Sequence, residues 1–210
     1  MAKLSKISST PAETVRMRRA YFDFRFGQLH VRTAFPATGG FDEQVTLICL
    51  HPAQGSSRIF KRLLPGIADV RSVYAPDLPG CAESDPAPTS GAADAAGAIS
   101  DLADDLRLRQ IDLFGVQGGA NVALALAAAR PELVRRLVIL GTPAADPLSI
   151  VKQSALVILT PRDAAQSPGR LKAALPNARH ADMADDVEKL LDAEHKALAM
   201  QIGAFLSSRF

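Results

Sequence analysis

The stretch Ile111-Asp112-Leu113-Phe114-Gly115-Val116-Gln117-Gly118-Gly119-Ala120 decides the fold predicted for this chain. Its apolar run up to Val116 predicts a buried strand, and the glycines that follow predict a tight turn. Residues 118–130 are rich in alanine and leucine and predict a helix that Pro131 stops. A strand that passes directly into a helix is typical of a βαβ unit. Gln117 stands in the turn between the two elements.

The same alternation recurs along most of the chain. Further strand-like apolar runs lie at residues 45–50, 71–75, 137–140 and 155–159, with a weaker one near 178–183. Helical patterns lie between or after them, at residues 59–67, 92–108, 170–175 and 187–206. Arg19 to Phe35 predicts a β-hairpin with its tip at residues 26–28, and residues 1–18 are interpreted as a flexible lead-in. We therefore expect an α/β fold in one domain, residues 19–210: a mainly parallel, doubly wound sheet with an antiparallel N-terminal hairpin.

Composition excludes several classes of function. The 210 residues are 48% hydrophobic, carry a net charge of +2 and include no tryptophan. Only Arg16, Arg18 and Arg19 cluster, and we assign them to a tail because no nucleic-acid-binding signature accompanies them. Two cysteines are too few for a disulfide framework, and neither has metal-ligand spacing. No secretory signal or membrane-length apolar run is present, so we expect a cytoplasmic protein with no cofactor, metal, nucleic-acid partner or membrane partner.

Parallel sheets of this kind place their sites at the carboxyl ends of the strands. The candidate site segments are therefore the loops that begin near His51, Asp77, Gln117, Thr142 and Asp163.

These strand ends together resemble the α/β-hydrolase superfamily, over nearly the whole chain from about Arg19. The resemblance rests on four segments in the family's order. They are His-Pro-Ala-Gln-Gly-Ser-Ser at 51–57 (oxyanion loop), Asp-Leu-Pro-Gly-Cys-Ala-Glu-Ser-Asp at 77–85 (D-x-P-G-x-G-x-S-D turn), Phe-Gly-Val-Gln-Gly-Gly at 114–119 (the G-x-S-x-G nucleophile elbow) and Leu-Val-Ile-Leu-Thr-Pro-Arg-Asp at 156–163 (acid-bearing strand). The set most resembles the branch of carbon–carbon bond hydrolases and related esterases.

The resemblance implies a Ser–His–acid triad, and this chain departs from it. Gln117 occupies the nucleophile position, and an amide has no oxygen that a base can activate. Asp163 occupies the acid position. Val187, or Asp186, falls where the base histidine belongs, and residues 181–188 contain no histidine. Most relatives of this branch insert a helical cap before residue 155, and the short segment here predicts a capless fold.

Other parts of the implied site remain. The backbone N–H groups of Ala53 and Gly118 would form the oxyanion hole, which could bind a carboxylate or a carbonyl oxygen. His51 is assigned to the binding residues together with Ala53 and Gly118, and it is also interpreted as a residue that shapes this loop. Alternatively, Gly118 and Gly119 only allow a close approach of helix and strand. Asp163, with no histidine to orient, is interpreted as an exposed loop carboxylate.

Other hydroxyls, thiols and histidines offer weaker candidates. Ser84 is expected near the binding site, and like Ser56 and Ser57 it belongs to a turn that it stabilises by local hydrogen bonds. Cys81 is the one thiol expected near the pocket. Among the histidines, His30 is expected at the far end of the fold, His180 at the start of the last strand and His195 in the middle of the last helix.

Three functional hypotheses follow. The first is a protein that has lost serine-hydrolase catalysis and binds a small molecule or a partner through the former pocket, with the Gln117 amide filling it or bonding to His51 or Asp163. The second is an active ester or carbon–carbon bond hydrolase with a rearranged site, in which His51, His180 or His195 acts with water or a serine. The third is a structural or regulatory protein, including a homo-oligomer, that uses apolar surface at the strand ends.

Overall fold

A computed structural model describes residues 15–37, 44–143, 151–164, 171 and 173–208. Its centre is an eight-stranded sheet in the order β1-β2-β4-β3-β5-β6-β7-β8. The strands are β1 (Arg16–Phe24), β2 (Gly27–Phe35), β3 (Thr46–Leu50), β4 (Val73–Pro76), β5 (Ile111–Val116), β6 (Val134–Leu140), β7 (Ser154–Leu159) and β8 (Ala178–Asp182). Strand β2 runs antiparallel to both of its neighbours, and the other pairs are parallel.

Helices cover both faces of this sheet. They are a 3₁₀ helix (Ser57–Phe60), α1 (Leu64–Ile67), α2 (Ala92–Asp105), α3 (Gly118–Ala129), α4 (Pro161–Ala164), α5 (Val187–Asp192) and α6 (His195–Ser207). Buried residues of α2 and α3 form the core on one face, and those of the 3₁₀ helix, α1, α5 and α6 form it on the other. Every residue of β5 is buried, as expected for a central parallel strand covered on both faces. The predicted fold class is confirmed.

The N-terminal hairpin is longer than the sequence pattern predicts. Strand β1 begins at Arg16, where it pairs with Phe35, and the two strands stay in register to the pair Phe24–Gly27. The turn is therefore Arg25–Phe26, one residue before the predicted tip. The arginine cluster that composition assigned to a tail lies in this edge strand, because backbone pairing with β2 extends the ladder through it.

The last helical region is two helices. Asp186 caps α5 by accepting a hydrogen bond from the N–H of Lys189 at 2.9 Å. The chain turns at Ala193 and Glu194, so His195 begins α6 instead of lying in mid-helix. Apolar residues continue through both helices, and for this reason their pattern did not reveal the break. In the predicted helix at 170–175, Leu171, Ala173 and Ala174 are helical, and residues 170 and 172 lie outside the described residues.

At the amino ends of the strands, a buried ion cluster ties the sheet to α6. Asp112 is fully buried, and its carboxylate accepts from Arg71 at 3.2 Å and from Arg135 at 2.6 Å. The two guanidinium groups also donate to the end of α6, to the hydroxyl of Ser207 and the carbonyl of Leu206. Charge-assisted bonds of this kind are roughly twice as strong as hydrogen bonds between neutral groups.

Residues 144–150, which bear on the predicted absence of a cap, lie outside the described part of the chain, so that expectation stays a prediction. None of the described helices is long and apolar enough to cross a membrane.

Candidate active site

Gln117 has the backbone conformation of a nucleophile elbow. Its φ is 47° and its ψ −110°, a combination that costs a residue with a side chain about 1–3 kcal/mol. Its N–H donates to the carbonyl of Leu140, and its carbonyl accepts from Ala120, both at 2.9 Å. The strain predicted for this turn is therefore present, and hydrogen bonds to β6 and α3 enforce it.

The glycines around Gln117 are required by close packing. A Cβ on Gly115 would lie 2.6 Å from the Cα of Ala120, and one on Gly119 would lie 2.2 Å from the carbonyl oxygen of Leu50. One on Gly118 would lie 2.8 Å from the nitrogen of Ala53. Helix α3 thus begins in direct contact with the end of β3 and the loop after it.

The three triad positions predicted from the sequence converge on one point. A Cβ on Gly141, directly after β6, would lie 3.1 Å from Cγ of Gln117, 3.6 Å from Oδ2 of Asp163 and 3.6 Å from Cγ2 of Val187. Of the two candidates for the base position, Val187 is the one with a side-chain atom at this point. The carboxylate of Asp186 is instead engaged in capping α5. The sequence pattern did not single out Gly141, whose positive φ of 78° gives a turn that leaves this space open.

Asp163 is not an exposed loop carboxylate, which corrects that interpretation. Thr160 and Asp163 form a capping box at the start of α4: Oδ2 accepts from the Thr160 N–H at 3.2 Å, and the Asp163 N–H faces the Thr160 hydroxyl at 3.4 Å. The Thr160 hydroxyl also donates to Oδ2, and the Thr142 N–H donates to Oδ1 at 3.0 Å. The spacing of Thr160 and Asp163, three residues apart at the start of a helix, is the sequence pattern of a capping box.

These contacts set the charge of the half-buried Asp163 carboxyl. Burial raises its pKa, but the donors from Thr160 and Thr142 outweigh burial and hold the pKa below its ordinary value. The acid position therefore holds a fixed carboxylate whose described partners are threonines.

His51 shapes the oxyanion loop, as interpreted from the sequence. Its Nδ1 lies 2.7 Å from the carbonyl of Pro52, and its Nε2 accepts from the N–H of Leu78 at 2.8 Å. Burial lowers the pKa of the ring, which keeps it neutral and consistent with a proton on Nδ1. Both ring nitrogens are engaged, so His51 has no free atom for a ligand, contrary to its assignment to the binding residues.

The N–H groups of Ala53 and Gly118 are the candidate oxyanion donors. The two residues are in contact, since a Cβ on Gly118 would lie 3.1 Å from the Cβ of Ala53. Neither N–H donates to a backbone acceptor among the described residues. Two adjacent unpaired donors at the start of a helix can bind a carbonyl oxygen or a carboxylate.

The other histidines do not reach Asp163. His30 lies next to Asp77 at the carboxyl end of β4, because β2 runs antiparallel, which corrects its placement at the far end. Its Nδ1 is 2.8 Å from Oδ2 of Asp77, and both side chains are only 2% exposed, so the pair is shielded from solvent. His180 is exposed on β8, and Nδ1 of His195 lies 2.7 Å from the carbonyl of Asp192.

Ser84 belongs to the turn after β4 and not to a binding site. Its hydroxyl donates to the carbonyl of Asp77 at 2.7 Å and accepts from the N–H of His30 at 2.9 Å. Ser56 likewise accepts from Arg58 at the start of the 3₁₀ helix. The prediction of local hydrogen bonds is right for both and wrong for Ser57, whose buried hydroxyl has no partner among the described residues. Because the Ser84 hydroxyl is engaged within its turn, its assignment to ligand binding is wrong.

Two pockets flank the elbow. The apolar pocket, about 430 Å³, is lined by Ala53, Gly118, Cys81 and apolar residues including Leu78 and Val122. The charged pocket, about 640 Å³, has five apolar or amide residues and five charged ones in its lining. They are Pro52, Ile59, Gln117, Val187 and Leu191, with Arg58, Lys61, Arg62, Glu188 and Asp192.

The side chain of Gln117 does not fill a closed site. The residue is exposed, and its amide makes no hydrogen bond to His51, Asp163 or another residue in the described ranges. The predicted bond to His51 or Asp163 is therefore wrong. The amide is available to a ligand in the charged pocket.

Comparison with known proteins agrees with this geometry. The model of the alpha/beta hydrolase fold family matches residues 45–163. The 2-hydroxymuconate semialdehyde hydrolase of Pseudomonas sp. (strain CF600) is 38% identical over 89 residues, a match that spans 40% of this chain and 30% of that enzyme.

Solved structures give the same fold over nearly the whole chain. The enol-lactonase from Burkholderia xenovorans LB400 superposes with a TM-score of 0.78 at 16% identity, covering 90% of this chain and 100% of that one. Carboxylesterase CesB from Bacillus subtilis gives 0.77 at 15% identity, covering 93% of each chain. The chain therefore belongs to the alpha/beta hydrolase fold family.

Proposed function

We propose that this protein no longer performs serine-hydrolase chemistry and binds a small carbonyl- or carboxylate-bearing molecule at the former active site. The observation that carries the proposal is the joint replacement at the point marked by Gly141. A glutamine and a valine stand there beside the fixed carboxylate of Asp163. An amide and an aliphatic side chain supply neither a nucleophile nor a base.

Retention of the binding features supports the second half of the proposal. The Ala53 and Gly118 N–H groups remain unpaired within the described residues, and both residues line the apolar pocket. Cavities of this size that combine apolar walls with a few polar groups are typical of small-molecule sites. The ligand's oxygen would accept from the two N–H groups while its apolar part contacts Leu78 and Val122.

An active hydrolase with a rearranged site finds less support. A base must come within hydrogen-bond reach of its partner. The ring nitrogens of His51 and His30 are held by other groups or buried, and the recorded partners of Asp163 are Thr142 and Thr160.

Hydrolysis of short p-nitrophenyl esters tests the loss of catalysis. We expect the wild type and Gln117→Ala to release p-nitrophenol at the rate of buffer alone. Turnover that survives Gln117→Ala would reveal a nucleophile elsewhere, and turnover lost in that variant would give Gln117 a chemical role. Either result overturns the first half of the proposal.

Amide NMR tests binding. The neutral ketone 3-benzoylpropanamide has a carbonyl beside a phenyl ring, and we expect it to shift the amide signals of Ala53 and Gly118. Gly118→Ala places a methyl group 2.8 Å from the Ala53 nitrogen and is expected to abolish these shifts. Gly203→Ala, whose Cβ has nothing within 4 Å, is the matched control. Absence of any shift at both amides in the wild type would contradict the binding proposal.

A further inference from the structure

We infer that the charged pocket binds an anionic group, a carboxylate or a phosphate, carried by the same ligand whose carbonyl lies at Ala53 and Gly118. This inference rests on the function proposed above and adds the chemical class of the ligand.

Two cations in the lining of the charged pocket, which form no ion pair with the described residues, carry the inference. Arg58, in the 3₁₀ helix, and Lys61, directly after it, have no ion pair with the residues that the structure describes. Arg62 is neutralised by Asp192, with Nε 2.9 Å from Oδ1. Of the two carboxylates in the described lining, Glu188 has no ion pair with the described residues. The described lining therefore carries one net positive charge, from three cations and two carboxylates, while the Asp163 carboxylate lies beside Gln117 without belonging to that lining.

The two pockets are neighbours, because at two places in the chain consecutive residues line one pocket and then the other. Pro52 lines the charged pocket and Ala53 the apolar one, and Gln117 and Gly118 divide in the same way. A molecule with its carbonyl at Ala53 and Gly118 therefore lies at the boundary and extends into both spaces. The Gln117 amide, which has no described hydrogen-bond partner, lies on the charged side and can donate to an anion.

The apolar pocket excludes an anion from the other end of the ligand. Among the described residues its lining includes no Asp, Glu, Lys, Arg or His side chain, and apolar groups such as Leu78, Ala95 and Val122 form much of it. An ionised group there would lose hydration without a charged partner. The structure thus gives the ligand a direction: an uncharged apolar end in one pocket and the anionic end in the other.

The expected effects are modest because Arg58, Lys61 and Glu188 are exposed and screened by water and salt. For one exposed charge we expect about a two- to fivefold change in affinity at low ionic strength. Removing a cation weakens binding of the anion, and removing the carboxylate strengthens it. Opposite signs at neighbouring positions are a signature that a general loss of structure does not produce.

The experiment measures Kd by calorimetry for two probes of nearly equal shape, 3-benzoylpropanoate and its neutral amide 3-benzoylpropanamide. Wild type is compared with Arg58→Gln, Lys61→Gln and Glu188→Gln. Arg18→Gln is the matched control, because it makes the same change in net charge on the exposed edge strand β1. We expect the wild type to bind the carboxylate more tightly than the amide.

In the first two variants we expect weaker carboxylate binding, in Glu188→Gln tighter binding, and in Arg18→Gln no change. Amide affinity is expected to stay the same in all four. Equal affinity for both probes, or equal effects of Arg18→Gln and Arg58→Gln, would overturn the inference while leaving the proposed function in place. Failure of both probes to bind would instead overturn the binding half of the proposed function.

Discussion

A methyl group at position 119 tests whether the elbow is held by direct contact between helix and strand. The Cβ introduced by Gly119→Ala would lie 2.2 Å from the Leu50 carbonyl oxygen and 2.6 Å from that of His51. Nonbonded carbon contacts are most favourable near about 3.5–4.0 Å, so the backbone of α3 or the end of β3 must shift by roughly 1 Å. Both clashing atoms belong to the backbone, and no side chain can rotate away. We therefore expect a loss near the upper end of the overpacking range, about 3 kcal/mol.

Urea unfolding followed by circular dichroism measures this loss, and the amide signals of Ala53 and Gly118 report the displacement of the candidate oxyanion donors. Gly203→Ala is the matched control because it also lies within a helix and has open space around its Cβ. It should stabilise the protein by about 0.5–1 kcal/mol, the usual gain when a helical glycine becomes alanine. A Gly119→Ala protein as stable as the wild type would refute the reasoning.

Three further changes test the site and the scaffold. Positions 117 and 187 meet beside Asp163. The double variant Gln117→Ser/Val187→His should therefore hydrolyse p-nitrophenyl esters about 100-fold or more faster than either single variant. The pKa of Asp163 is lowered in the folded protein, so its carboxylate stabilises the fold at pH values above the ordinary aspartate pKa of about 3.9. This stabilisation is lost as the pH falls through the folded-state pKa. We therefore expect the urea midpoint of Asp163→Asn to fall less on acidification than that of the wild type. Asp112→Asn leaves Arg71 buried without a charged partner and should cost about 3–5 kcal/mol in urea unfolding.

Controls make each result interpretable. A double variant no more active than Gln117→Ser would contradict the assignment of position 187. Asp104→Asn serves both carboxylate tests, because Asp104 is 57% exposed in its pair with Arg130 and should change stability by less than about 1 kcal/mol. If Asp112→Asn also changed stability by less than about 1 kcal/mol, the buried cluster would not hold α6. If the urea midpoints of Asp163→Asn and of the wild type fell equally with acid, Asp163 would not contribute to the acid dependence of stability.

Local pattern was enough to predict the central strands and the elbow. The run from Ile111 to Val116 is apolar except for Asp112, because a strand buried on both faces of the sheet consists mainly of apolar residues. The Gly-Val-Gln-Gly-Gly sequence predicted the strained turn because glycine alone fits where backbones approach closely. In contrast, the limits of β1 depend on pairing with β2, and the break before His195 falls within a continuing apolar pattern.

The candidate site, like the fold, was partly predictable from the sequence and partly decided by the tertiary structure. Its sequence identified the elbow, the acid position and a base position without histidine, because strand order and loop motifs are local properties of the chain. Only the tertiary structure decided that Gln117, Asp163 and Val187 surround one point beside Gly141, that His51 is fully engaged, and that Arg58 and Lys61 face a pocket at the elbow. Such contacts join residues far apart in the chain, and long-range strand pairing and helix packing set their distances, which the spacing of residues along the sequence does not record.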